Sequence, residues 1–325
     1  MFGRKKNPAG LPGSNKAPVG SEEILERLAE DYMKDRKWRR YLKIGFFILV
    51  ALYVIAIFSV AGGSGAAVNA SQPHTAVVSL NGVIGGGPKG VFANQINSSL
   101  RRAFKNKNSE AVVLHLNSPG GSPVQSAEIN EEILRLSALY PNKPVFAVMS
   151  DVCASGCYYV AVAAETIYAN KSSIVGSIGV RMDSFGFVGA LEKLGVERRS
   201  ITAGKNKAVL DPFLPRVESH EAHARKMLAI VHQQFIDTVE QGRGDRLSED
   251  PDLFTGLFWS GETAKTLGLI DDFGSLDYVA REVIQQENLV DYSYRPSLLE
   301  EISNNLGASI GASVSSALSG QMQLQ

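Results

Sequence analysis

Two short runs hold most of the residues able to do chemistry in this chain. The first, VVLHLNSPGGSPVQSAEINEEIL from Val112, reads as a buried strand, a turn at Ser118-Pro119-Gly120-Gly121, and a helix. Adjacent glycines at a strand-to-helix turn let the backbone approach a ligand and turn its N–H groups outward, which is one way to build an oxyanion hole. An ordinary βα turn is the commoner use of such residues. A phosphate-binding loop is excluded, because the GK[ST] ending is missing. The second run, PVFAVMSDVCASGCYYVAVAAETIYAN from Pro144, takes a strand into Asp151–Ala154 and opens a helix near Ser155. A serine there sits at the positive end of a helix dipole, and Ala154 and Gly156 leave room for an acyl group. It is either a nucleophile or, more ordinarily, an N-cap hydroxyl. The GxSxG elbow of the α/β-hydrolases is absent.

A nucleophilic serine needs a base. Five histidines are available. His115 falls inside a strand with a half-buried pattern, His74 in a tether, His232 on a long helix, and His220 and His223 lack the HExxH spacing of a zinc protease. None has a convincing Asp partner, so a Ser/His/Asp triad stays open without support, and lysine is the remaining candidate base. Because an ordinary lysine has a pKa near 10.4, a lysine base must be desolvated by about 3 units, at a cost of roughly 4 kcal/mol. The strand-like VERRSIT (196–202) runs into Ser200–Phe213, which turns at Gly204 into a loop with Lys205 and Lys207, by themselves surface lysines.

The elements that must position these residues alternate. Strand-like TAVVSLNGVI, a helix around Phe92–Lys105, AVVLHLN, a helix around Val124–Tyr140 and PVFAVMS give βαβ organisation and a largely parallel sheet. Beyond them are a short helix around Val188–Leu194, a long one around His220–Gln241, and a final pair around Glu262–Leu267 and Leu276–Gln286. Leu228, Val231, Phe235 and Val239 keep helical spacing on the long helix and read as core.

Together these pieces resemble the SppA-type signal peptide peptidases, serine proteases with a Ser/Lys dyad and a crotonase/Clp-protease-like α/β fold. The resemblance covers about Thr75 to Val283, through NSPGGSP (117–123), SDVCASGCYY (150–159), VGSIGV (175–180), AGKNK (203–207) and FWSGETAKTLGLIDDFG (258–274). It implies Ser155 as nucleophile, Lys207 as general base and Ser177 as the hydroxyl that hydrogen-bonds that lysine. The oxyanion would be bound by the Gly156 N–H with the Gly120 and Gly121 backbone. No metal or cofactor is implied. Cys153 and Cys157 depart from the residues common in the family. Four apart on a helix, they are expected to pack as small apolar groups rather than to bridge. A cysteine nucleophile is a further possibility without a paired His. The single-repeat form implies a ring of protomers, eight in number, with Ser155 and Lys207 meeting across an interface, so that an isolated monomer is inactive. Implied substrates are remnant signal peptides and other unfolded chains, bound extended. An acyl-thioester enzyme and a non-catalytic membrane scaffold are the competing readings.

Length and composition set the frame. The 325 residues allow one large or two modest domains, and 44% hydrophobic with 20% charged residues excludes a wholly disordered chain or a polytopic membrane protein. Lysine plus arginine equals aspartate plus glutamate at 33 each, so no global charge points to nucleic acid. The balance hides an asymmetry, because residues 1–43 carry a net +5 and the rest a net −5. The sign changes at residues 44–62, an uncharged apolar stretch long enough for a transmembrane helix. No Lys or Arg follows it until Lys89, which keeps the N-terminus cytoplasmic by the positive-inside rule. The expected organisation is a basic leader (1–43), a helix in the bacterial inner membrane (44–62), a flexible tether (63–74), an extracytoplasmic protease domain (75–295) and a low-complexity tail (296–325).

Overall fold

The computed structural model describes residue 38 and residues 41–53, 70–87 and 90–295. The chain divides into two units, residues 1–64 and 65–325. In the first, residues 41–53 are helical and exposed. Residues 54–62 of the expected membrane helix, nearly all of the basic leader, residues 63–69 of the tether and the tail from 296 lie outside the described residues. Among the described residues no helix is long and apolar enough to cross a membrane.

The second unit opens with three strand–helix repeats: β1 (His74–Asn81), α1 (Ala93–Lys105), β2 (Ser109–Ser118), α2 (Pro123–Leu139), β3 (Val145–Ala154) and α3 (Gly156–Ala161). β2 is buried almost end to end, as expected for a parallel strand covered on both faces. Ser122 starts α2 by accepting the Gln125 N–H on its hydroxyl, with Pro123 at the first helical position. The inward faces of α1 and α2 bury Ile96, Leu100, Phe104, Ile129, Ile133 and Leu136 against the sheet.

β4 (Thr166–Ala169) and β5 (Ile174–Gly176) both pair with β3, at different heights. Phe146–Met149 pair with β4 and Val152–Ala154 with β5. On the other side of β3, Leu116 pairs with Met149 and Ser118 already with Cys153, so β3 advances four residues while β2 advances two. The extra residues bend β3 and send its end towards β5, as a bulge does.

The chain continues through α4 (Val188–Leu194), α5 (Glu218–Arg243), β6 (Phe258–Ser260), α6 (Gly261–Thr266), β7 (Asp272–Phe273), α7 (Leu276–Tyr278) with a π-helical extension (Val279–Ile284), and β8 (Leu289–Asp291). The strand order is β6-β5-β3-β2-β1-β8, with β4 and β7 branching beside β3. Every pairing is parallel except β5 with β6. This is the expected mixed α/β architecture with a mostly parallel sheet. The end of α5 is tied to the late LGLIDDFG run by Arg243, buried and paired with both Asp271 oxygens at 2.8 and 3.0 Å while donating to the Gly268 carbonyl. Burial alone would raise the Asp271 pKa, but hydrogen bonds from Arg243 and the Ile167 N–H hold it below the ordinary value.

Several expectations change. VERRSIT forms no strand: residues 196–202 are exposed and irregular and pair with no strand among the described residues. His74 is not tether but the buried first residue of β1, bonded to the Gln72 carbonyl and the Tyr292 hydroxyl. The expected helix 276–286 is broken up, ending in a left-handed Gln285. On α5 only Phe235 and Val239 of the four-residue stripe are buried; Leu228 and Val231 are half-exposed, since the first part of that helix runs past the core.

Cys153 and Cys157 are joined in a disulfide, with Cα atoms 5.1 Å apart. The expectation of free thiols assumed that both sit on one helix. Cys153 is instead in β3 and Cys157 in the first turn of α3, and the reversal between them brings the sulfurs together. With both sulfurs bridged, neither cysteine is a free nucleophile.

Candidate active site

The register of β3 with β5 assembles the centre of the site. Ala154 pairs with Gly176, so Ser155 and Ser177, each the next residue along its strand, stand side by side. Both have positive φ, 54° and 53°, rare for residues with a side chain. Each is held by its backbone: the Ser155 N–H donates to the Gly176 carbonyl at 2.8 Å, and the Ser177 N–H to the Leu257 carbonyl at 2.7 Å. Ser155 stands at the N-cap of α3 yet its hydroxyl makes no capping hydrogen bond. That removes the ordinary explanation for a serine at this place and leaves Oγ available.

The SPGG turn comes up against this serine. A Cβ on Gly120 would lie 2.7 Å from the Ala154 oxygen and the Gly156 nitrogen and 2.8 Å from the Ser155 Cβ, so only glycine fits. A Cβ on Gly156 would lie 2.4 Å from the Ser126 Oγ and 3.2 Å from the Gly121 nitrogen. The N–H groups of Gly121 and Gly156 donate to no acceptor among the described residues. Gly120 differs: its N–H donates to the Ser118 hydroxyl at 3.0 Å. Its contribution is the absent side chain.

Ser155, Ser177, Gly120, Gly121 and Gly156 line one groove of about 1200 Å³. Its walls include Val83, Val124, Tyr159, Val231, Phe235 and Phe258, with Glu128, Glu131 and Arg181 among the charged residues. Sequence reasoning missed Val83, Val124 and Phe258, although apolar residues beside turn motifs are a usable sign of a wall that contacts ligand. Tyr159 is fixed by Asn130, which donates to its carbonyl at 2.8 Å, and by Thr238, which donates to its hydroxyl.

Lys207 does not line this groove. It lies exposed in the turns of residues 203–210, its N–H donating to the Gly204 carbonyl, and Lys205 is equally exposed. Among the histidines only His232 reaches the groove, and its Nε2 is bonded to the Ile178 carbonyl rather than to a carboxylate. His115 bonds the Ser150 hydroxyl at 2.8 Å, and burial pushes its pKa down. Among the described residues no cluster of His, Cys, Asp and Glu could hold a metal ion.

An uncapped serine hydroxyl, two N–H groups beside it without an acceptor among the described residues and a largely apolar groove are the parts that acyl transfer needs. The comparisons agree with that class. The family model described as peptidase family S49 matches residues 138–290. A protein assigned as a protease in Methanocaldococcus jannaschii is 31% identical over 226 residues, covering 68% of this chain and 72% of its own length. The chloroplastic serine protease SPPA of Arabidopsis thaliana is 31% identical over 229 residues, covering 68% of this chain and 33% of that one. A Brucella melitensis protein named as the Na(+)/H(+) antiporter NhaA is 49% identical over 177 residues, 54% of this chain. The match takes in only 24% of the antiporter's length, about a quarter. This chain belongs to peptidase family S49, the family of the SppA-type proteases.

Proposed function

We propose that the protein is a membrane-anchored serine endopeptidase that cleaves remnant signal peptides and other unfolded, hydrophobic chains through a Ser155/Lys207 dyad. The reading rests on one observation above all: Ser155 is held at positive φ with its hydroxyl uncapped, against the Gly120 gap and the unused N–H groups of Gly121 and Gly156.

Neutral Lys207 takes the proton from the Ser155 Oγ as that oxygen attacks the peptide carbonyl. The Gly121 and Gly156 N–H groups receive the oxyanion, and donors of this kind are worth about 2.7–4 kcal/mol each. Collapse expels the peptide amine, which takes the proton from the Lys207 ammonium, and Ser155 is left acylated. Water, deprotonated by the same lysine, then releases the acid and frees the serine. Ser177 orients the lysine, as its place beside Ser155 suits it to do.

Lys207 comes from a neighbouring copy in a ring of eight. In support, its amine is exposed within one chain and absent from the groove. The segment that carries it displays Phe185, Leu194, Val196 and Ile201 to solvent, the last completely, and such exposed apolar residues mark a protein contact. Burial there would also supply the desolvation a lysine base needs. The anchor is the apolar stretch 44–62, behind a basic leader that stays in the cytoplasm. The Cys153–Cys157 bridge suits the oxidising extracytoplasmic side of a bacterial inner membrane. The apolar groove wall suits substrates left in or near lipid.

The test is complementation. Ser155→Ala and Lys207→Ala are each expected to abolish hydrolysis of a peptide ester. Co-assembled in equal amounts, they are expected to regain about a quarter of wild-type activity, since one interface in four then pairs an intact serine with an intact lysine. No recovery in verified mixed rings would sink the shared dyad.

A further inference from the structure

We propose that the Cys153–Cys157 disulfide is the positioning device of the nucleophile, setting the backbone of Ser155 rather than the stability of the fold; the inference rests on the Ser155 reading above. The bridge closes a loop with only Ala154, Ser155 and Gly156 between its half-cystines. So short a loop removes less entropy from the unfolded chain than a long one, which makes this a weaker place for a global staple. What it encloses is the one candidate nucleophile, in a conformation that an L-residue seldom adopts.

The two ends are anchored in different elements. Cys153 pairs with Ser118 on one side and Val175 on the other, in the middle of the sheet, while Cys157 lies in the first turn of α3. Both are completely buried in the main core cluster, beneath the groove floor that Ser155 and Gly156 form. Without the bridge, the reversal from β3 to α3 is held by the Ser155 N–H to Gly176 bond, the Tyr159 N–H to Ser155 carbonyl bond and the contact with Gly120. The disulfide adds a tie within the core, and it opposes a rotation of the Ala154–Ser155 peptide that would turn Oγ away from the Gly121 and Gly156 N–H groups. Residues that hold a reacting atom to a fraction of an ångström act on the chemical step, not on substrate affinity.

The experiment compares wild type with Cys153→Ala/Cys157→Ala and with Cys153→Val/Cys157→Ala, which refills lost volume without a bond. Thiols are first counted by maleimide labelling of denatured protein, before and after a dithiol reductant that gives two electrons and two protons to the bridge and is itself oxidised to a disulfide. None is expected before and two after. In both variants acylation of Ser155 by a p-nitrophenyl ester, read as release of p-nitrophenol, and kcat on a peptide ester, are expected to fall about tenfold to a hundredfold, with KM nearly unchanged. Amide hydrogen exchange at Ser155 and Tyr159, whose N–H groups are bonded to the Gly176 and Ser155 carbonyls, is expected to quicken about tenfold or more while the melting temperature moves little. Free thiols in the oxidised wild type would overturn the proposal, as would unchanged acylation and exchange in the variants, or full recovery in the refilled one. A wild type that is never acylated, but whose exchange quickens when the bridge is removed, would refute the protease reading and leave the positioning role standing.

Discussion

The β3–α3 reversal and the segment from residue 180 to 217 are the two halves of one proposed dyad, and they are built in opposite ways. Around Ser155 the backbone is tied by hydrogen bonds to Gly176 and Tyr159, by the disulfide and by a contact that only Gly120 permits. Around Lys207 there is little to tie. α4 buries no residue, and the segment is held chiefly by Phe187 stacked on Phe213, the Phe187 N–H on the Pro212 carbonyl, and Arg198 reaching Asp211 and the Phe213 ring. A nucleophile must be aimed before substrate arrives, so its constraints lie within the chain. A base whose strength depends on losing water needs a wall, and one copy of the chain does not supply it.

The sharpest break of that contrast is Lys207→Ala. Activity is expected to fall at least about a thousandfold, with stability within about 0.5 kcal/mol of wild type, as for an exposed side chain with few partners. A large loss of melting temperature would mean that Lys207 is a structural residue. Next comes Gly120→Ala, which should fail on both counts. Its φ of 96° and the backbone atoms 2.7 Å from a new Cβ predict a loss of about 1–3 kcal/mol in chemical denaturation and a collapse of Ser155 acylation. If acylation survived, the turn would not be pressed against the nucleophile.

The smallest effect concerns the support behind the site. Glu132 on α2 is buried between Arg101 and Arg135, and its hydrogen bond from Arg135, followed by that from Arg101, holds its pKa down at about 2 against an ordinary 4.5. A carboxylate depressed in the folded state adds stability above its unfolded pKa and loses it as pH falls towards the folded one. Glu132→Gln is therefore expected to cost about 1–2 kcal/mol near neutrality, a figure reduced because both arginines are more than half exposed to solvent. The gap between variant and wild type should close as pH drops from about 4.5 to 2, read by denaturant titration at each pH. A gap independent of pH would assign the cost to packing instead.

Much of this was legible before any fold was known, and the successes share a cause. The SPGG turn, the serine after a strand and the alternation of strands and helices depend on residue type and near neighbours. The failures share one too. VERRSIT has a strand-like pattern but no partner strand, and pairing is a property of two segments. A spacing of four between cysteines argues against a bridge only on one helix, whereas here the element boundary falls between the two residues. Gly120 and Gly121 are indistinguishable by type, and only the Ser118 hydroxyl separates the one with an occupied N–H from the one without.

The amino-acid order by itself determined the parts: which glycines could admit a close approach, which serine could end a strand and begin a helix, and which lysines follow the turn at Gly204. Tertiary structure decided which of them meet. The β3–β5 register put Ser155 beside Ser177, the core joined the two sulfurs that flank Ser155, and the lack of a covering element left Lys207 in solvent. Conformational preference is written into each residue and its neighbours, whereas distance and dehydration arise only when remote segments pack, and acyl transfer depends on both.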